Sequence, residues 1–303
     1  MNEEGYFLAV RPIGKHHTVE IDQARFDEIE NASKNLGHVL NLEEQWAAVI
    51  QNYLDLEEGL LVAAARHMIV TDFEWNSLND LQLRFAVRLA NLLSSCRAYL
   101  DQTCKNLRHL NPYSGDAEAF AETRSHEYDS RFGYRFMEAM RNHSQHRGLP
   151  LHGSSYGIKA REPNLLEYFV ATDIDLDQLR EDTDFKQSVL REVSEKRLSA
   201  DPLVREYIAG LSAVHIGLRQ RLEKRVADWM ELIRGAIAQH VETSPDGKTT
   251  SGLYAMQLGK GNERLKTVHL GENKLQRIET LQRRHGSLER VPSSFVSGAP
   301  RLK

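Results

Sequence analysis

The residues with the clearest potential for chemistry lie between Met140 and Pro150, in the run MRNHSQHRGLP. Arg141, Asn142 and His146 bring a permanent cation, an amide and an imidazole into this short segment. An imidazole exchanges protons near neutral pH, and a guanidinium binds phosphate oxygens through a planar pair of donors. These groups suit the cleavage of RNA without a metal ion. His146 would take a proton from a ribose 2′-hydroxyl, and Arg141 would stabilise charge on the phosphate.

The spacing of this pair is weak support by itself, because an arginine followed by a histidine after four to six intervening residues occurs six times in the chain. In a straight helix, Arg141 and His146 are separated by about 140° of rotation, so their side chains do not align. Gly148 and Pro150 follow His146 and should end the helix, and we expect this break to let the two side chains meet. Asn142 and His146 lie four positions apart and share a face.

These residues need a helix to carry them, and hydrophobic periodicity predicts one. Phe132, Phe136, Met140 and His143 form an apolar stripe at helical spacing, so we predict a helix over residues 117–146. Similar stripes predict helices over residues 23–68 with a break at Gly37, 74–107, 182–198, 202–241 and 273–285. Runs of β-branched and aromatic residues predict a short strand pair within residues 1–22, a hairpin near residues 154–173 and a second hairpin within residues 253–270.

Length and composition are those of a globular protein with one or two domains. The chain has 303 residues, of which 41% are hydrophobic and 27% charged, enough to bury a sizeable core. We predict three segments: a short N-terminal β segment (1–22), a helical domain with a β-hairpin insertion (23–241), and a linker with a basic C-terminal extension (242–303).

Charge is distributed unevenly along the chain. The net charge is −4, but residues 250–303 contain ten Lys or Arg and four Glu. An overall acidic chain does not wrap nucleic acid indiscriminately, so an anionic partner would need a local patch or this basic extension. Whether the extension binds RNA or a neighbouring protein is left open by the sequence.

Cysteine usage and hydropathy favour the cytoplasm. Cys96 and Cys104 fall on one predicted helix, about 12 Å apart at ~1.5 Å per residue, which is too far for a disulfide. Glu3 and Glu4 stand where a signal peptide needs basic residues, and Arg66 interrupts the longest apolar run. We therefore expect no membrane association.

The run RNHSQH at the end of a long helix resembles the motif of HEPN-domain proteins, in which an arginine and a polar residue precede a histidine. Arg141, Asn142 and His146 match these three positions. The continuation RGLPLH resembles the helix exit of HEPN-like proteins from bacterial defence and toxin–antitoxin loci. The resemblance covers the motif helix and extends over residues 74–150, and the helix predicted over 202–241 would complete the bundle.

The resemblance implies a mainly α protein, a HEPN-like antiparallel helical bundle with small β-hairpin additions. It implies an endoribonuclease that needs no cofactor and leaves a 2′,3′-cyclic phosphate on RNA. It also implies a homodimer with a shared active-site cleft, and an antitoxin or defence-system protein as a further partner. Arg147, Arg135 and Arg131 would add positive charge for substrate binding, although each is more typical of an ordinary protein surface.

Several alternatives fit the same residues. A histidine at a helix C-terminus is favoured by the helix dipole, which would explain His146 without chemistry. His143 lies on the apolar stripe and is expected to be packed or partly buried. His143, His146 and His152 could be a metal triad, but no carboxylate or cysteine follows at ligand spacing, so we expect no metal. A non-catalytic HEPN-like adaptor or sensor, binding nucleic acid, a nucleotide or a protein, and a purely structural helical protein complete the alternatives.

Overall fold

The structure, a computed structural model, describes residues 5–10, 17–70, 75–110, 115–163, 165–244 and 252–296. Its helices in these ranges are α1 (Gln23–Ile69), α2 (Trp75–Leu110), α3 (Asp116–Ser130), α4 (Phe132–His146), α5 (Leu176–Glu181), α6 (Gln187–Leu190), α7 (Ala200–Thr243) and α8 (Glu272–Arg284). Its strands are β1 (Gly5–Val10), β2 (Thr18–Ile21), β3 (Gly153–Glu162), β4 (Leu165–Asp175), β5 (Arg197–Ser199), β6 (Leu253–Leu258) and β7 (Arg264–His269). The prediction of a mainly helical protein with small antiparallel sheets is confirmed.

The chain forms two compact units that do not follow chain order. The first comprises Met1–Glu44, Lys105–Asp116 and Arg219–His285. The second comprises Gln45–Cys104, Ala117–Leu218 and Gly286–Lys303. Helices α1, α2 and α7 each contribute residues to both units, whereas the predicted segments were contiguous in sequence.

The first unit contains a four-stranded sheet in the order β2-β1-β6-β7, with all neighbours antiparallel. The predicted N-terminal strand pair and C-terminal hairpin are both present. Sequence patterns did not indicate that they pair with each other, as β1 and β6 do. Leu8 lies opposite Ala255 in this pairing, and both side chains are fully buried. Residues 252–285 of the basic extension are therefore integral to the fold of this unit.

Helix α8 packs in the same unit through a buried apolar stripe of Leu275, Ile278 and Leu281. Arg219 on α7 contacts residues close to the C-terminus of α8. Its Nε donates a hydrogen bond of 2.9 Å to Glu43 Oε1, and its Nη1 donates to the carbonyl oxygen of His285. Glu43 is nearly inaccessible to solvent, and a buried carboxylate needs such a partner. This network ties the C-terminal end of α8 to α1 and α7.

Helix α1 is continuous through Gly37, and the predicted break at this glycine is wrong. A glycine inside a helix costs only about 1 kcal/mol relative to alanine. The neighbouring Leu36 and Val39 are buried, and this burial outweighs so small a penalty. Local propensity was therefore overridden by packing.

The single helix predicted over residues 117–146 is instead two helices, α3 and α4, separated at Arg131. Arg131 has extended backbone angles (φ −121°, ψ 119°), so the chain changes direction there. Beyond the turn, Gly133 packs against α7 and its backbone N–H donates a hydrogen bond of 2.5 Å to Glu206 Oε2. The Glu206 carboxylate thus accepts the hydrogen bond that a backbone carbonyl would accept if the helix were continuous. Because Glu206 lies 73 positions further along the chain, the local sequence does not indicate this contact.

The second unit contains a three-stranded antiparallel sheet in the order β3-β4-β5. The predicted hairpin is confirmed, with Tyr156 opposite Val170. The helix predicted over residues 182–198 is wrong: only the short α6 forms, and β5 then pairs with β4. Arg180 donates from Nη2 to the carbonyl oxygens of Val193 and Glu195, which satisfies these acceptors outside a helix.

Helix α4 is held in the second unit by its predicted apolar stripe. Phe136 and Met140 are fully buried, and His143, further along the same face, is mostly covered. Tyr207 on α7 donates a hydrogen bond of 2.6 Å to Glu138 Oε1 on α4. Large buried side chains fix the rotation of a helix about its axis, so the directions of the polar residues at the end of α4 are set by this packing.

Candidate functional site

Helix α4 ends where the sequence predicts, directly before Gly148 and Pro150. His146 is its last helical residue, and the backbone N–H of Arg147 still donates to the carbonyl oxygen of His143 at 2.9 Å. The helix is therefore regular over the whole interval from Arg141 to His146. The break comes after both residues rather than between them.

The structure consequently does not bring Arg141 and His146 together within one chain. A regular helix separates them by about 140° of rotation, and no hydrogen bond among the described residues joins their side chains. Asn142 and His146 do share a face and are both exposed. We expected the side chains of Arg141 and His146 to meet at the helix break, but in one chain they point in different directions.

Arg141 is half-buried, and its charge has no carboxylate partner among the described residues. Its Nη1 donates a hydrogen bond of 2.9 Å to Asn142 Oδ1. Its Nε is buried without a hydrogen-bond acceptor in the described part of the chain. A guanidinium stays charged at all physiological pH values, so a side chain in this state retains most of its capacity to bind an anion.

The three arginines predicted to bind substrate are each engaged in ion pairs. Arg131 pairs with Glu127. Arg135 pairs with Glu192 and also donates to the carbonyl oxygen of Tyr128 at 3.1 Å. In this conformation much of their positive charge is balanced by protein groups.

Arg147 makes the third of these pairs. It donates from Nε to Asp184 Oδ2 at 2.9 Å and lies 4.0 Å from Asp182. Its side chain is otherwise exposed, and the charge of Asp184 raises its pKa further above the ordinary arginine value. Arg147 differs in this respect from Arg141, six positions earlier on the same helix end.

An additional polar cluster, which sequence reasoning missed, lies on the face of α4 that carries His143. The Nδ1 atom of His143 lies 2.8 Å from Asp182 Oδ2, and its ring contacts Phe185 edge-on, with centroids 5.8 Å apart. The expectation that His143 is partly buried is confirmed, since its side chain is 10% exposed. The pair fixes the last turns of α4 to the connection between α5 and α6.

The surroundings favour the ionised form of Asp182 and the neutral form of His152. The backbone N–H of Asp184 donates to Asp182 at 2.9 Å and holds the pKa of that carboxyl below its usual value; partial burial opposes this, and His143 and Arg147 reinforce it. Burial lowers the pKa of His152, and the neighbouring His143 lowers it further. The negative charge of Asp175 raises this pKa and opposes both effects. His152 Nδ1 accepts a hydrogen bond of 3.2 Å from the backbone N–H of Asp175.

These groups border a surface cavity of about 660 Å³. Its lining includes His143, Arg147, His152 and Asp182. Within the described residues, no three histidine, cysteine, aspartate or glutamate side chains are grouped so that they could hold a metal ion. The cavity combines two histidines, which can transfer protons, with an ion-paired arginine and a carboxylate.

Comparison of this chain with protein-family models, with curated proteins and with solved structures finds no match. None of the helices in the described ranges combines the length and apolarity that crossing a membrane requires.

Proposed function

We propose that the protein is a metal-independent endoribonuclease of the HEPN type, with its active site at the C-terminal end of α4. One observation carries the proposal: of the four arginines near the motif, Arg141 alone lacks a carboxylate partner among the described residues. A partly buried guanidinium without a protein counter-charge is available to bind an anionic ligand. Arg141 is also the arginine of the motif, and Asn142 is hydrogen-bonded to it.

In the proposed reaction, His146 takes the proton from a ribose 2′-hydroxyl, and the 2′-oxygen forms a bond to the adjacent phosphorus. The bond from phosphorus to the 5′-oxygen of the next nucleotide breaks, that oxygen takes a proton from water, and the protonated His146 returns its proton to the solvent. Arg141 stabilises the extra negative charge that the phosphate carries in the transition state. The products are a 2′,3′-cyclic phosphate and a 5′-hydroxyl end, and DNA is spared because it lacks the attacking hydroxyl.

The divergence of Arg141 and His146 is compatible with this chemistry if two copies of the chain share the site. A homodimer with two-fold symmetry would place Arg141 of one copy near His146 of the other across a common cleft. The mainly helical fold supplies the long helices for such a bundle. A bacterial defence or toxin–antitoxin role, in the cytoplasm and under the control of a partner protein, belongs to the same proposal.

The test is cleavage of single-stranded RNA by the purified protein in excess EDTA. We expect Arg141→Ala and His146→Ala each to reduce the rate by about 100-fold or more, because each removes a group that acts in the transition state. The products of the wild-type protein should carry cyclic phosphate ends. The matched controls are Arg108→Ala and His126→Ala, which remove exposed side chains of the same types elsewhere.

Unchanged cleavage in both motif variants would refute the proposed mechanism. Cleavage that stops when EDTA is added would instead indicate a metal-dependent enzyme.

The second candidate function is a non-catalytic HEPN-like adaptor or sensor. It is favoured by the ion pairs of Arg131, Arg135 and Arg147, which leave little free positive charge to hold an RNA strand beside Arg141. An adaptor of this kind should bind RNA or a partner protein without cleaving RNA. Toxicity on expression that is relieved by His146→Ala would argue against it.

A further inference from the structure

The chain that follows α4 is attached to the end of β4 by His152, at the border of the 660 Å³ surface cavity. The backbone N–H of His152 donates a hydrogen bond of 3.0 Å to the carbonyl oxygen of Asp173. Its ring accepts, at Nδ1, a hydrogen bond of 3.2 Å from the backbone N–H of Asp175. The β3–β4 ladder itself ends at the pair of Gly153 and Asp173. The side chain of His152 therefore extends the attachment beyond the ladder.

The acceptor role of Nδ1 fixes the protonation state of His152. A neutral imidazole has one nitrogen that accepts and one that carries hydrogen, whereas an imidazolium donates from both. Because Nδ1 accepts here, the hydrogen of the neutral ring is on Nε2. A second proton on Nδ1 would point directly at the backbone N–H of Asp175. The hydrogen bond between them therefore exists only while the ring is neutral.

This hydrogen bond lies at a junction between three elements. Asp175 is the residue at which β4 ends and α5 begins, and its carboxylate accepts from two backbone N–H groups of α5, at 3.0 and 3.2 Å. On the other side of His152, Leu151 is buried, and its carbonyl oxygen accepts a hydrogen bond of 3.4 Å from Gln82 Nε2 on α2. Loss of the bond from the ring would loosen the exit of α4 from the start of α5.

The groups around the ring determine when it takes up a proton. The charged and titratable side chains near it are His143 and Arg147 from α4, Asp173 and Asp175 from β4, Glu181 from α5, and Asp182 from the α5–α6 connection. Burial of His152 lowers its pKa below the ordinary histidine value, the charge of His143 acts in the same direction, and Asp175 opposes them. The ring is therefore neutral near pH 7, as its hydrogen bond requires, and becomes charged in acidic solution.

We propose that His152 is an acid-sensitive latch, which is closed while its ring is neutral and opens when protonation breaks the bond to Asp175. Opening releases residues 151–153 from the start of α5 and gives solvent access to the cavity at the end of α4. The imidazolium then donates to a carboxylate instead, and Glu181 borders the same cavity.

The direction of the pH effect follows from the two states of the ring. An exposed ring in the open state has a pKa near the ordinary value of 6.5, and the ring in the closed state has a lower one. The closed state binds the proton less tightly, so the stability of the latch is complete well above pH 6.5 and decreases as the pH falls below that value. Each pH unit below about 6.5 favours opening by up to about tenfold, until the pKa of the closed ring is reached.

The test is hydrogen exchange of the Asp175 amide in the full-length protein, measured by NMR relative to an unfolded peptide at the same pH. Neither Arg141 nor His146 belongs to the latch, so the test needs no RNA. Between about pH 7.5 and about pH 5.5, we expect protection of this amide in the wild type to fall by about threefold or more. His152→Asn keeps an acceptor close to the position of Nδ1 but cannot be protonated, so its protection should not change. His126→Asn, at an exposed position on α3, is the matched control and should behave like the wild type.

Two further measurements in the wild type identify the group responsible and exclude global unfolding. The Cε1–H resonance of His152 should titrate with the same midpoint as the loss of protection at Asp175, a comparison that does not depend on the stability of the asparagine variant. Exchange at Phe136, a fully buried residue of α4, reports global unfolding and should keep its protection over this pH range.

Equal loss of protection at Asp175 in the wild type and in His152→Asn would overturn the inference. So would protection in the wild type that does not change with pH, a midpoint different from that of the His152 ring, or a parallel loss of protection at Phe136.

Discussion

Arginines in the second unit differ in whether a carboxylate of the protein balances their charge. Arg147 shares two aspartates, whereas Arg141 has only the amide of Asn142 as a described partner. The sequence placed Arg141, Asn142 and His146 on a helix end correctly, because periodicity and the Gly148 and Pro150 stop are local features. It did not indicate Asp182, because a carboxylate that meets His143 only after folding leaves no spacing signal.

Asp201, at the first turn of α7, links stability to pH. Its carboxylate accepts a hydrogen bond of 2.7 Å from Thr172 Oγ1, yet burial raises its pKa from 3.8 to about 6, with Glu57 and Asp173 adding to the rise. The folded state therefore binds this proton more tightly than the unfolded state. The resulting stabilisation is complete below about pH 4 and is lost as pH rises through about 6.

We expect Asp201→Asn, which cannot ionise, to gain stability relative to the wild type as pH increases from 4 to 7. The gain should approach roughly 3 kcal/mol at most, from a shift of about two pKa units. Urea denaturation at several pH values measures it. Asp129→Asn, at an exposed position, is the control, and a pH-independent difference for Asp201→Asn would contradict the account.

At the level of elements, the turn between α3 and α4 depends on close packing at Gly133. The sequence predicted the long helices α2 and α7, whose apolar stripes are uninterrupted. It failed at Gly37, at Arg131 and over residues 182–198, where a distant contact decides the conformation. Hydrophobic periodicity indicates which face of a helix is buried. It does not indicate that a side chain from a distant part of the sequence will accept a hydrogen bond from the backbone.

Two glycine substitutions test this explanation. Gly133→Ala would place a Cβ 2.6 Å from Glu206 Cβ and 2.7 Å from the carbonyl oxygen of Leu203. We expect it to reduce the free energy of unfolding by about 1–3 kcal/mol, as overpacking does. Gly37→Ala meets no atom within 4 Å and should increase stability by about 0.5–1 kcal/mol. Denaturant titration compares the two, and a stabilised Gly133→Ala protein would contradict the packing described.

For the whole molecule, the main feature beyond the reach of sequence reasoning is the pairing of the first strand with the C-terminal hairpin. Each strand was predicted locally, but partners at opposite ends of a chain are chosen by the assembled core. Truncating the basic extension would therefore remove β6 and β7 from this sheet. A role for its charge in binding RNA is better tested by substituting exposed arginines such as Arg283 and Arg284.

The proposed sharing of the site by two copies has its own test. Arg141→Ala and His146→Ala proteins, each inactive alone, should regain activity when their subunits are exchanged, because one of the two Arg141–His146 pairs in the shared cleft of each mixed dimer is intact. With random exchange we expect about one quarter of the wild-type rate. Mixing the two proteins after covalent cross-linking of each dimer serves as the control. Failure to regain activity despite proven subunit exchange would contradict a site built from two chains.

The most direct measurement of the central claim uses one RNA oligonucleotide in two forms, with either ribose or 2′-deoxyribose at the cleaved position, incubated with the protein in excess EDTA. The proposed mechanism predicts cleavage of the ribose form to a 2′,3′-cyclic phosphate and no cleavage of the substituted bond, because the attacking hydroxyl is missing. Cleavage of both forms at the same bond would show that the 2′-hydroxyl is not the nucleophile, and would contradict the roles assigned to Arg141 and His146.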